Sequence, residues 1–445
     1  MSSNVRRYIV PILAVLGVSV RLWFVLAANP HEHTFHSGGS DAPAYVTLAT
    51  NLLAHRGYSY AGQPSAFRPP GYPVLVAAAM WVSPEHYISL IRAIQFVLGL
   101  LAVWICSRVA LKLFGNQAAR ASLLIGLLLP TMIFSTAQIL TECVATLLTA
   151  LFLWFLVEQD AVAGAGSAAA LGIIGGIESL FRFNASAVPV LAVFLVVMNP
   201  QKKRAVLRAS FILLIPILIL MPWLVRNKIV FGRFLLSTQV GANLVQGVIS
   251  PDGRTQSGDS EKIGPTMGYR VSQLERESLR PLLPSELELN EQARRVVPGL
   301  WKDLGWRAVP LLAQKVLTFW LSLDQVLSTR AFSLNERVVR FSGVGCYWVA
   351  LGLAIVGWFS LRRTRPVIAY WFLAYATILT ILHLPLVMNT RLRIPLVEPL
   401  LVILAGIGWV RLFDRSALKK SIALAGGTES SESEILTGAA AVEPS

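Results

Sequence analysis

Apolar residues along the chain fall into long blocks broken by short polar stretches. Blocks at about 8–28, 88–111, 119–137, 143–158, 167–182, 185–198, 206–224, 341–360, 366–386 and 394–413 approach the ~20 residues that a helix needs to cross ~30 Å of hydrocarbon. The pattern predicts an all-α integral membrane protein, a polytopic bundle of about ten transmembrane helices. A further apolar stretch, Gly71 to Val82, is too short to span and is expected as an interfacial or re-entrant helix. That choice leaves residues 29–87 as one loop on a single side. It also puts the polar region 225–340 on the same side, with Leu311 to Leu323 lying in the interface.

Composition agrees with membrane insertion. Hydrophobic residues make up 55% and charged residues 14% of the 445, and the mean hydropathy is +0.60, whereas a soluble domain carries about 25% charged residues. The net charge of +15 does not point to nucleic acid, because Lys and Arg cluster in the short stretches between apolar blocks. There they orient the chain. Counting spans puts Lys112 and Arg120, residues 201–204, 361–365 and 411–420 on one side, the cytoplasmic one, together with both termini. The first block follows Arg6 and Arg7 and exceeds the core of a cleaved signal peptide, so it reads as a signal anchor.

Four parts are expected: a transmembrane module 1–224 containing the first extracytoplasmic loop, an extracytoplasmic region 225–340, C-terminal transmembrane helices 341–420, and a disordered cytoplasmic tail 421–445. Cys106, Cys143 and Cys346 sit in or beside apolar blocks and imply no disulfide framework.

Ionisable residues near membrane depth are the first candidates for chemistry. Asp41 precedes Ala-Pro-Ala-Tyr45, a helix start in which its carboxylate serves either as a cap or as a reactive group. Arg68 stands before the rigid Pro-Pro-Gly-Tyr-Pro run that contains Tyr72. Thr141-Glu142, Arg182-Phe-Asn184, Pro222-Trp-Leu-Val-Arg226-Asn227 and Arg391-Leu-Arg393 all fall at the same extracytoplasmic face by parity. Glu142 reads either as a partner for an arginine or as a membrane-edge acid, and Arg182 either lines the site or pairs with Glu178 one turn earlier. His31, Glu32, His33 and His36 include no His–His pair four apart, as a helical metal site would, and read as solvated loop residues. The tryptophans at 223, 301, 306 and 320 suit an interfacial aromatic belt.

The stretches Asp41-Ala-Pro-Ala-Tyr45, Phe67-Arg68-Pro-Pro-Gly-Tyr-Pro73, Leu140-Thr-Glu142, Pro222-Trp-Leu-Val-Arg226-Asn-Lys-Ile-Val-Phe-Gly232 and Asn389-Thr-Arg391-Leu-Arg393-Ile-Pro395 together resemble the bacterial branch of the GT-C membrane glycosyltransferases, the family of ArnT and the protein O-mannosyltransferases. The resemblance implies a GT-C-like bundle in the bacterial inner membrane that transfers a hexosyl or pentosyl unit, with inversion, from a polyprenyl-phosphate donor to a lipid, glycan or protein acceptor outside the cytoplasm. It implies Asp41 as the catalytic carboxylate and Arg68 as a donor-phosphate ligand. Arg226, Arg391 and Arg393, at the same face by parity, are expected to complete that cationic pocket, with Tyr45, Tyr72, Glu142 and Arg182 in support. Ala42 stands where several relatives carry a second acid, which weakens metal binding by an acidic pair; no cofactor is firmly implied, and a divalent metal is left open but unsupported. A flippase for a lipid-linked saccharide is the rival reading, but transporters place charges at the midplane and show repeated halves. Neither feature is apparent here.

Overall fold

A computed structural model describes residues 3–27, 41–158, 165–198, 205–249, 286–321, 336–386, 388 and 390–413. The histidine-rich stretch 31–36 and the tail 421–445 lie outside the described residues. The elements run α1 (Ser3–Ala27), α2 (Ala42–Leu53), β1 (Ser59–Tyr60), β2 (Gln63–Pro64), α3 (Gly71–Val82), α4 (Tyr87–Phe114), α5 (Asn116–Leu128), α6 (Pro130–Ala137), α7 (Glu142–Glu158), α8 (Ala165–Phe181) and α9 (Ala187–Met198). The second half holds α10 (Ala205–Phe231), α11 (Gln239–Ile249), α12 (Glu286–Leu304), α13 (Ala308–Leu321), α14 (Glu336–Thr364), α15 (Pro366–His383) and α16 (Thr390–Phe413). The two short antiparallel strands, Ser59 opposite Pro64 and Tyr60 opposite Gln63, are the only strands among the described residues.

Each expected apolar block is helical, but length and composition qualify fewer of them as spans. Among the described residues six helices are long and apolar enough to cross a membrane, or seven if α5 and α6 count together. The apolar helices α7, α8 and α9 are shorter. The block expected as one helix over 119–137 bends by 53° between Leu128 and Pro130, because a proline cannot continue the helical hydrogen-bond ladder.

That bend frees backbone carbonyls at membrane depth, where no water is available to satisfy them. Arg21 of α1, fully buried, donates to the carbonyls of Gly126 (2.5 Å), Leu127 (3.3 Å) and Met132 (3.1 Å). At the far end of α6, Arg92 donates to Ala137 O (2.8 Å), and Gln95 donates to Thr136 O (3.0 Å) and Gln138 O (2.7 Å). Three side chains from neighbouring spans therefore hold a broken segment whose exit, residues 138–141, leads directly into Glu142.

α16 lies at the centre of the bundle, packed on α14, α5 and α7. Gly357 of α14 and Gly408 of α16 mark the crossing, since a Cβ on either would overlap the Leu404 or Leu353 carbonyl; such small residues let membrane helices approach closely. α10 packs on α8, and the short α3 packs on α2 and the end of α4. In the second polar region α11 packs on α12 through Val245, Val248, Ala293, Val297 and Leu300.

Candidate active site

The first loop supplies Asp41 and Arg68, and its shape follows from local signals. Ala61 and Gly62, with φ of 49° and 79°, form the tight turn between β1 and β2, the backbone twist that two-residue hairpins favour. Asn51 Nδ2 donates to Ser59 O (2.8 Å), which ties the hairpin to α2. Tyr58 Oη donates to the carbonyls of Arg68 (2.9 Å) and Pro69 (3.1 Å), so the chain enters the double proline in a fixed path.

Asp41 occupies the cap position of α2, yet its side chain makes no capping hydrogen bond. Its carboxylate turns instead to two arginines, accepting from Arg68 Nη2 at 2.5 Å through Oδ1 and from Arg391 Nη2 at 3.0 Å through Oδ2. Burial pushes the Asp41 carboxyl up, but Arg68, Arg391 and Arg182 together hold it below the ordinary carboxylate value. Tyr45, one turn into α2, is pushed up to about 12 by burial and by the neighbouring Asp41, and stays a neutral phenol. The Arg68 guanidinium lies over the rings of Phe67 (5.0 Å) and Tyr45 (5.9 Å).

Behind Arg391 the ion cluster continues. Arg391 Nε donates to Glu142 Oε1 (2.9 Å), and Arg182 Nη1 lies 3.6 Å from that same oxygen while donating to Thr141 Oγ1 at 2.9 Å. The second Glu142 oxygen is buried and accepts no hydrogen bond. Glu178 accepts from Thr149 Oγ1 (2.6 Å) instead of pairing with Arg182, so Arg182 faces the cluster. The ends of α2, α3, α7, α8 and α16 thus meet at one end of the bundle. Among the described residues there is no group of three or more His, Cys, Asp or Glu that could hold a metal ion.

Two expected phosphate ligands sit elsewhere, and one supporting residue acts from outside the ion cluster. Arg393 is fully buried, donating to Phe319 O (2.5 Å), lying 3.5 Å from Glu398 and stacking on the Tyr347 ring at 4.1 Å; the helical turn that points Arg391 at Asp41 sends Arg393 into the core. Arg226 is spent on the first loop, donating to Ser65 O (2.7 Å) and Tyr58 O (2.8 Å) over the rings of Tyr58, Trp223 and Phe231. Tyr72 donates to Gln95 (2.7 Å) with its ring edge-on to Tyr45, and so supports the loop from below. Trp223, expected in an interfacial belt, is buried and donates to Leu236 O (2.9 Å).

Sequence reasoning passed over Gln239 and Glu286. With its amide assigned so that each end meets a complementary partner, nitrogen toward Phe67 O (3.2 Å), Gln239 accepts from Arg68 Nη1 at 2.9 Å. Glu286 accepts from Ser65 Oγ (2.6 Å), Ala66 N (2.8 Å) and Thr238 Oγ1 (2.8 Å). Neither lies in a recognisable motif, and Glu286 is separated from Ser65 by 221 positions.

A multi-span membrane protein whose first loop and helix ends gather three arginines and two carboxylates is the class that fold and site define. No family model and no curated protein matches the sequence. Solved structures do match. The oligosaccharyltransferase of Archaeoglobus fulgidus, tethered with an acceptor peptide containing the NVT sequon, aligns with TM-score 0.54 at 16% identity, covering 95% of this chain and 51% of that one. The AglB structure from the same organism, with an inhibitory peptide and a dolichol-phosphate, aligns with TM-score 0.52 at 13% identity over 94% and 52%. ArnT from Cupriavidus metallidurans bound to undecaprenyl phosphate aligns with TM-score 0.41 at 16% identity over 89% and 77%. The likeness is one of fold alone: the chain shares the architecture of the archaeal oligosaccharyltransferase and spans about half its length.

Proposed function

We propose that the chain is an inverting glycosyltransferase that moves a sugar from a polyprenyl-monophosphate carrier to an acceptor hydroxyl on the extracytoplasmic face of the plasma membrane. The observation that carries this reading is the pairing of Asp41 with Arg68 and Arg391, a base and two phosphate-binding forks brought together by α2, the double-proline loop and α16. Arginine presents a planar donor pair that matches phosphate oxygens. Asp41 takes the proton of the acceptor hydroxyl as its oxygen attacks the anomeric carbon. The bond from that carbon to the phosphate oxygen breaks, the polyprenyl phosphate leaves with its second negative charge, and Arg68 and Arg391 stabilise that charge as it develops.

Charge counting supports a monophosphate carrier. Among the described residues Arg68, Arg182 and Arg391 face Asp41 and Glu142, leaving one unit of positive charge. A sugar phosphodiester supplies one negative charge, whereas a diphosphate-linked donor supplies two. The dolichol-phosphate named for the archaeal AglB structure is a monophosphate of the same chemical kind.

The experiment is a donor screen with purified protein in lipid, following release of polyprenyl phosphate from radiolabelled polyprenyl-phosphate sugars. Release by the wild type that Asp41→Asn abolishes supports the reading. Passage of intact donor across the bilayer without cleavage makes the chain a flippase instead.

A further inference from the structure

We propose that Glu286 is a positioning residue that sets Arg68 for the donor phosphate through the peptide of Ser65 and Ala66. The proposal rests on the donor-phosphate role given to Arg68 above.

Glu286 is the first residue of α12, in the second polar region, and its carboxylate reaches across to the first loop. One oxygen takes the Ser65 hydroxyl, and the other takes both the Ala66 N–H and the Thr238 hydroxyl. Ser65, Ala66 and Thr238 are almost wholly buried, so removing the carboxylate takes the shared partner from three donors at once. Around the same peptide Arg226 donates to Ser65 O (2.7 Å), Thr238 N to Ala66 O (3.2 Å) and Ser237 Oγ to Phe67 O (3.2 Å).

The joint acts on Arg68 from two directions. Along the loop, Ser65 and Ala66 fix the chain two residues before the guanidinium. From the side, Thr238 precedes Gln239, whose amide meets Arg68 Nη1 directly. Glu286 binds both arms at once, because the Ala66 N–H and the Thr238 hydroxyl share a single oxygen. Asn290, one turn further along α12, accepts from Gly241 N (2.7 Å) and keeps α11 in register with this joint. Arg68 therefore meets Asp41 in its observed geometry only while the start of α12 is seated on the loop.

The test measures binding of polyprenyl monophosphate alone to the full-length chain in detergent, by quenching of tryptophan fluorescence, for wild type, Arg68→Ala, Glu286→Ala, Glu286→Gln and the Arg68→Ala/Glu286→Ala double variant. Glu286→Ala should weaken binding about tenfold, the scale of charge-assisted hydrogen bonds left unmade. Glu286→Gln should stay within about threefold of wild type, since its amide oxygen still accepts from Ala66 and Thr238 and its nitrogen donates to Ser65 Oγ. The double variant should bind no more weakly than Arg68→Ala. In transfer assays Glu286→Ala should raise KM for donor with kcat within about threefold, a pattern that a merely destabilised protein does not give. Should Glu286→Ala fail to fold, Ser65→Ala carries the same test at about two- to threefold. Wild-type binding by Glu286→Ala or, where that variant fails to fold, by Ser65→Ala overturns the proposal if Arg68→Ala is weakened, as do equal losses in the Ala and Gln variants or additive losses in the double variant. Wild-type binding by Arg68→Ala removes the donor-phosphate role itself.

Discussion

Arg391 and Asp41, 350 positions apart in the chain, meet at 3.0 Å between Nη2 and Oδ2, and Arg391 grips Glu142 through Nε at 2.9 Å. One guanidinium thereby bridges the carboxylate of the first loop and the carboxylate at the start of α7. In this arrangement Asp41 occupies the arginines that a phosphate would need.

Asp41→Asn should therefore separate binding from chemistry. Removing the competing carboxylate frees Arg68 and Arg391, so polyprenyl phosphate should bind about three- to tenfold more tightly, the scale of a charge-assisted contact. Transfer should fall at least about 100-fold, as general-base contributions run to about 10²–10⁴. Because Asp41 makes no capping hydrogen bond, the variant should still fold and lose only the stability that its ion pairs with Arg68 and Arg391 contribute. Retention of most of the transfer activity would remove Asp41 as the base and turn attention to Glu142.

The pH profile follows from the direction of the Asp41 shift. The folded carboxyl lies below its ordinary value, so its ion pairs add stability above the unfolded value of about 4 and lose it as pH falls through the folded value. For free enzyme, kcat/KM should stay level from neutral pH down to about 5 and decline only below about 4. Once donor phosphate draws the arginines away, burial dominates and the acid limb of kcat should sit at higher pH than that of kcat/KM. An acid limb of kcat/KM centred near neutrality would contradict Asp41 as the base.

Arg391→Lys keeps the charge and loses the fork. An ammonium cannot bridge Asp41 and Glu142 as Nη2 and Nε do, so KM for donor should rise about tenfold despite the conserved charge. Kinetics with saturating acceptor would read this. A wild-type KM would show that charge alone is needed at 391.

Arg393→Ala is expected to act on stability instead. It would strand Glu398, fully buried and bonded to Thr131 and Arg393, at a cost of about 3–5 kcal/mol for breaking a buried pair. The thermal midpoint in detergent should drop, while the folded fraction binds polyprenyl phosphate as wild type does. Weakened binding in folded protein would return Arg393 to the phosphate site.

Orientation is open to labelling. With Cys346 changed to Ser, Gln63→Cys in the first hairpin should react with an impermeant maleimide on intact cells, and Arg363→Cys at the end of α14 should not. The reverse result would put the ion cluster in the cytoplasm.

Much of the architecture was legible in the chain itself. Apolar blocks of helical length specify helices in lipid because backbone groups must find partners within the segment, and parity then brought residues 41, 68, 141–142, 182 and 391 to one face. The structure seats all of them in one cluster. Local pattern could not decide what each side chain does there. Asp41-Ala-Pro reads as a cap, and only the approach of Arg68 and Arg391 turns its carboxylate outward. Arg391 and Arg393 read alike, yet two positions on a helix point about 200° apart, so one joins the cluster and the other enters the core. The carbonyl clasp by Arg21, Arg92 and Gln95 on the segment that Pro130 breaks, and the seat of Glu286 on Ser65, join positions roughly 40 to 220 apart. Partners at such separation leave no periodicity in the sequence, and the tertiary structure alone selects them.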